Sequence, residues 1–136
     1  MKIILIFLLS IFTNLVSASI KIEGTYEFPK KTTHLQIYKN GDVYEGKISW
    51  VKENKKDDKN PNPDLRNREI QDLVILKNLK QTGDNLYGEG EAYDPESGNT
   101  YRAKIWFENG NDQKLFVRGY IGIPLLGRSS ELKRID

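Results

Sequence analysis

The feature that most constrains this chain is strict alternation of apolar and polar residues in runs of seven to nine, each bounded by turn-forming residues. Leu115, Val117, Gly119 and Ile121 alternate with Phe116, Arg118 and Tyr120; Tyr101, Ala103, Ile105 and Phe107 alternate with Arg102, Lys104 and Glu108. In Val43 to Trp50 the same rule puts Tyr44, Ile48 and Trp50 on one face. A period of two fits half-buried strands and no helix. Between the runs stand Asn40-Gly41, Thr82 to Asn85, Asp94 to Gly98 and Asn109 to Asp112. Asn-Gly supplies the positive φ of a tight hairpin, and Pro95 pre-sets the first central position of its turn. About eight short strands in sequential order, with turns every 8–12 residues or so, predict an antiparallel up-and-down β-barrel.

The ends set the compartment and the domain count. Met1-Lys2 precedes an apolar run from Ile3 to Val16, and Val16-Ser17-Ala18 closes it with small residues. That is the pattern of a secretory signal peptide over 1–18, with one domain over 19–136. Thr13 and Asn14 leave the run short of the ~20 residues of a membrane span, so no span is expected after cleavage. No cysteine follows to carry a lipid. A domain of about 120 residues buries roughly two-thirds of its unfolded surface and needs no staple. An exported chain without cysteine suits a bacterial periplasm, or secretion, better than an animal extracellular space. The chain carries a net charge of only +2, which argues against a nucleic-acid partner.

Two segments resist the alternation. Glu53 to Arg66 is polar and interrupted by Pro61 and Pro63, so a long loop over 53–69 is expected. Asp72 to Lys80 fits a strand or one to two helical turns, and its short apolar run does not separate them.

Asp58, Asn60-Pro61 and Arg66, with Leu73 to Leu76, Tyr93-Asp94-Pro95, Gly98, Tyr101, Arg118-Gly119-Tyr120 and Gly127-Arg128, resemble the bacterial domain of unknown function 2147 family along essentially the whole mature chain. The chain departs from the family in having Gly24-Thr25-Tyr26 where Gly-x-Trp is usual, and Leu132-Lys133-Arg134 where a tryptophan usually precedes the last arginine. The resemblance implies an exported, lipocalin-like barrel and carries no chemistry. It is also similar to the calycin barrels, in which a last-strand arginine covers a first-strand aromatic; here the pair would be Arg134 and Tyr26, an interaction of roughly 0.5–2 kcal/mol.

Catalytic arrangements find little support. There is no thiol, and the single histidine, His34, lies in a strand without a nucleophile elbow. Asp94 and Glu96 share a hairpin turn, where Asp94 is better suited to accept backbone N–H groups than to exchange protons. Asp58, Asn60, Asn62, Asp64 and Glu69 approach the spacing of a calcium loop, but Pro63 occupies the position that needs glycine. No catalytic residue, metal or cofactor is assigned. The candidate ligand contacts are Arg118, Tyr120, Tyr101, Trp106, Tyr44 and Asp94, with Asn60 and Arg66 from the loop. Arg118 either pairs with a carboxylate such as Asp94 or, if it faces the lumen, receives an anionic head group. Tyr44, Trp50, Tyr93, Tyr101, Trp106, Phe107 and Tyr120 would line a cavity, with Gly46, Ala103 and Gly119 leaving room between rings. Ile121 to Leu126 reads as a rim loop or a strand broken at Pro124.

These readings point to a non-enzymatic periplasmic binding protein for a small apolar or amphiphilic ligand. The alternative is a cell-envelope interaction module, with a barrel filled by side chains and a protein partner held by the long loop.

Overall fold

The computed structural model describes residues 20–122 and 127–136. The expected signal peptide and the passage around Pro124 lie outside the described residues. Eight strands follow in chain order: β1 (Gly24–Glu27), β2 (Thr33–Asn40), β3 (Val43–Val51), β4 (Val74–Gly83), β5 (Leu86–Asp94), β6 (Asn99–Trp106), β7 (Lys114–Tyr120) and β8 (Arg128–Arg134). Each pairs antiparallel with the next, and β8 returns to β1 to close the barrel. No helix among the described residues is long and apolar enough to cross a membrane. The turns use the backbone freedom their sequences offer: φ is positive at Gly41, Asn85, Gly98, Asn109 and Gly110.

Register shifts along β2 to β6 alter the faces that simple alternation assigns, and two of them bear on the expected core. His34 pairs with Trp50 while Leu35 pairs with Ile48, so β3 carries one extra residue at Ser49. The insertion turns Trp50 outward, where it stacks on His34 at 4.6 Å between centroids, and turns Val51 inward. Trp50 therefore does not share a face with Tyr44 and Ile48. In β4, Gly46 pairs with Leu76 and Tyr44 with Leu79. Three residues of β4 thus span two of β3, and Asn78 takes φ 57° to absorb the excess. The 72–80 segment is mainly this strand, and the bulge brings Leu76 and Leu79 both inward.

One half of the barrel is solid. Tyr26, Ile37, Leu79, Ile105, Leu115 and Leu132 are completely buried there, and Tyr44 meets Tyr87 edge-on at 5.1 Å. The small residues fit close neighbours instead of leaving room. A Cβ at Gly46 would come within 3.0 Å of both Leu35 and Ile37, and one at Gly90 within 2.6 Å of Leu79. Arg134 seals this end. Its guanidinium lies 5.0 Å from the Tyr26 ring centre and donates to the Lys21 carbonyl at 2.6 Å, the Asp112 carbonyl at 2.8 Å and the Tyr26 hydroxyl at 2.5 Å. Tyr26 in turn donates to the Ile22 carbonyl at 2.7 Å. Burial raises the Tyr26 pKa despite the nearby arginine, so the phenol stays neutral and keeps its proton for that bond. The expected closure of Tyr26 by Arg134 is thus present in full.

Candidate functional site: a cup at the open end

The other half of the barrel is hollow. A cavity of about 1150 Å³ opens at the end where β1 joins β2, β3 joins β4 and β5 joins β6. Leu35, Ile48 and Leu76 form its floor; Ile75, Ala92 and Val117 form apolar walls; Thr33 and Ser130 add hydroxyls. Alternation places them: Val117 pairs with Ser130 across β7 and β8, and both side chains point inward. Above them the lip is charged, built from the β1–β2 turn, the long loop and the β5–β6 hairpin.

The long loop is fixed to the barrel by one buried carboxylate. Asp57 is 0% exposed. Its Oδ1 accepts from the Tyr93 hydroxyl at 2.5 Å, and its Oδ2 accepts from Asn60 Nδ2 and Arg68 Nε, each at 2.9 Å. The Asp57 N–H also donates to the Arg68 carbonyl at 2.8 Å, and Lys56 bridges to Glu69 across the loop. Burial works to raise the Asp57 pKa, but the bonds from Tyr93, Asn60 and Arg68 outweigh it and hold the carboxyl below its ordinary range. Tyr93 moves the opposite way, to about 12, through burial and through its bond to the carboxylate. The hub is therefore an ionised Asp57 with a neutral tyrosine donor. Gly98 completes the packing: at φ 76° it lies against the Lys59 carbonyl so closely that a Cβ would collide with it.

The residues singled out from sequence fall in several places. Asp94 is at the lip, and its carboxylate accepts from Glu96 N at 3.0 Å and Ser97 Oγ at 2.8 Å, as its place in a turn predicts. Asn60 and Arg66 belong to the loop's internal frame: Asn60 Oδ1 accepts from Asn62 N, and Arg66 Nε donates to the Asn60 carbonyl, both at 2.8 Å. Asn60 also edges a separate cleft of about 200 Å³ between the loop and the outer surface of β4 and β5. Asn62 likewise caps the short 3-10 turn Pro63–Leu65, so these side chains serve loop turns in the way the calcium alternative did not require.

Arg118 faces away from the lumen. It stands between the inward Val117 and Gly119, beside Lys104 and Ser129, and donates to Ser129 Oγ at 2.8 Å. It neither lines the cup nor pairs with Asp94. Trp106 is also outside, stacked on Phe116 at 5.5 Å with Lys104 Nζ 5.1 Å from its ring centre. Tyr120 shares that outward register but is buried. Tyr44 lies in the solid half, and Tyr101, near the Gly119 backbone, accepts a 3.4 Å bond from Asn99 and does not line the cup. Tyr93, expected among the cavity aromatics, does line the cup, but its part in the hub was not foreseen, and the hub residues Asp57 and Arg68 were missed. Asp57 sits in a charged run with Asp58, and nothing in that run marks which carboxylate is buried; the aromatic Tyr93 was the available signal.

The sequence model of a family described as "Uncharacterized protein conserved in bacteria (DUF2147)" matches residues 24–134. A matching solved structure is described as "Protein HP1028 from the human pathogen Helicobacter pylori belongs to the lipocalin family". It has a TM-score of 0.76 and 25% identity, covering 87% of this chain and 85% of that one. No curated protein sequence matches.

Proposed function

This chain belongs to the DUF2147 family, and from that premise we propose that it is a non-enzymatic binding protein of the bacterial periplasm that carries one small amphiphilic molecule in its barrel. The observation that carries this reading is the half-hollow lumen: an apolar cup of about 1150 Å³ under a charged lip. Ligand sites of a few hundred to about 1,000 Å³ are typically concave and mostly apolar, with a few polar groups at defined points. Apolar walls supply affinity, and Thr33, Ser130 and the lip supply orientation. The export half of the proposal rests on the Met1-Lys2 start and the apolar run to Val16. A barrel packed solid throughout, as an envelope module would have, accords less well with the open cup.

The test is native mass spectrometry of the mature protein isolated from its own host, paired with displacement of a polarity-sensitive alkyl probe. A reproducible extra mass lost on denaturation, and probe uptake abolished in Val117→Trp with the fold intact, are the expected results. A clean apo mass together with no uptake of any alkyl probe would overturn the proposal.

A further inference from the structure

The charges around the cup are arranged by height and by side. Every charged residue that lines it comes from the lip connections, apart from Asp94, the last residue of β5. Below the lip the strands offer only apolar side chains and hydroxyls, and an unpaired charge there would lack compensation. An occupant with one charged end therefore enters tail first and leaves that end at the lip.

The lip itself is polarised. The Lys52 N–H donates to the Thr32 carbonyl at 2.9 Å, which ties the end of β3 to the β1–β2 turn. Lys30 and Lys52 lie on this side, with one carboxylate, Glu53, next to Lys52 in the chain. On the hairpin side Asp58, Asp94 and Glu96 accompany one lysine, Lys59, whose backbone rests on Gly98. Lys56 is paired with Glu69 at 3.9 Å, whereas among the described residues Lys30, Lys52 and Lys55 have no carboxylate within ion-pair distance. Asp94 already spends both oxygens on its own turn.

We infer that the cup selects a single-chain amphiphile with an anionic head, carboxylate or phosphate, seated against Lys30 and Lys52. This deepens the binding reading above and rests on it. The lysines act as mobile point charges, so they favour charge over a fixed head-group shape. The carboxylates of the hairpin side repel the same head from the opposite lip and hold it in one place.

The experiment compares four molecules of one chain length, dodecanoate, dodecyl phosphate, dodecanol and dodecyltrimethylammonium, displacing a neutral fluorescent alkyl probe from the full mature protein. The two anions are expected to bind roughly five- to tenfold more tightly than the alcohol, the scale of exposed ion pairs, and the advantage should shrink as salt rises. Lys30→Glu with Lys52→Glu should abolish it while dodecanol binding and thermal unfolding stay unchanged, because both side chains are exposed. Glu96→Gln should not reduce it. Equal binding of the two anions supports selection by charge alone, and preference for one supports the inference while identifying its chemistry. If alcohol or ammonium binds as well as the anions, the inference fails and the carrier reading stands. If no dodecyl compound binds, the carrier reading itself fails.

Discussion

Replacing Asp57 by asparagine tests whether one buried carboxylate fixes the long loop. The substitution keeps size and keeps an oxygen for the Tyr93 hydroxyl. It also turns the second oxygen, which accepts from Asn60 and Arg68 at 2.9 Å, into an amide donor facing two donors. Hydrogen bonds to a charged group contribute about 1.5–3 kcal/mol each. Arg68 is 37% exposed on its side chain and can turn to water, so its loss is at the low end; Asn60 is 5% exposed and cannot. The sum is about 4 kcal/mol, enough to lower the melting temperature by roughly 15 °C in a domain of this size if the loop and barrel unfold together. If the loop opens by itself, amides of 55–70 lose hydrogen-exchange protection while those of β6 and β7 keep theirs. The pH dependence gives a second readout. The folded pKa of Asp57 lies below its ordinary value, so its contribution is complete above the carboxylate range and is lost only as pH falls through the lowered folded value. Wild-type loop protection should thus persist through mild acid and drop in strong acid, and the variant should lack that acid-dependent component. Unchanged melting together with unchanged loop exchange would refute the assignment of Asp57 as the anchor.

Other substitutions probe separate parts of the barrel. Arg134→Ala removes the ring contact with Tyr26 and several hydrogen bonds, and should cost about 2–4 kcal/mol by urea unfolding, with cup occupancy retained in the folded fraction. Gly98→Val places a branched side chain at positive φ against the Lys59 carbonyl; about 2 kcal/mol of strain should appear as faster proteolysis of the 53–70 loop. Arg118→Ala should leave binding of a fluorescent alkyl probe unchanged in the folded protein, since the side chain lies outside the lumen.

The barrel was legible because alternation and turn chemistry agree along most of the chain, and agreement across levels is what specifies a fold. The base was legible through the resemblance to the calycin barrels, which implies that Arg134 covers Tyr26. The cup was harder. Alternation states that Val117 and Arg118 face opposite ways, but not which way is inward; that depends on closure with β8, where Ser130 meets Val117. Leu76 and Leu79 are spaced by three, as in a helix, and the bulge at Asn78 reconciles that spacing with a strand. Trp50 was misplaced for a related reason, because one inserted residue at Ser49 reverses every face beyond it. Of the aromatic residues expected as cavity walls only Tyr93 lines the cup; Trp106 stacks with Phe116 on the outer sheet, and the lumen walls are mostly Leu, Ile, Val and Ala.

The seal made by Arg134 and Tyr26 has a kinetic consequence. A lumen blocked at one end is a cul-de-sac, so under the carrier proposal an occupant would leave by the route it entered and no second molecule could push the first through. Exchange would then be sequential, with departure preceding arrival. Any donor or acceptor would have to approach the same rim, and whatever covered the rim would arrest exchange in both directions at once.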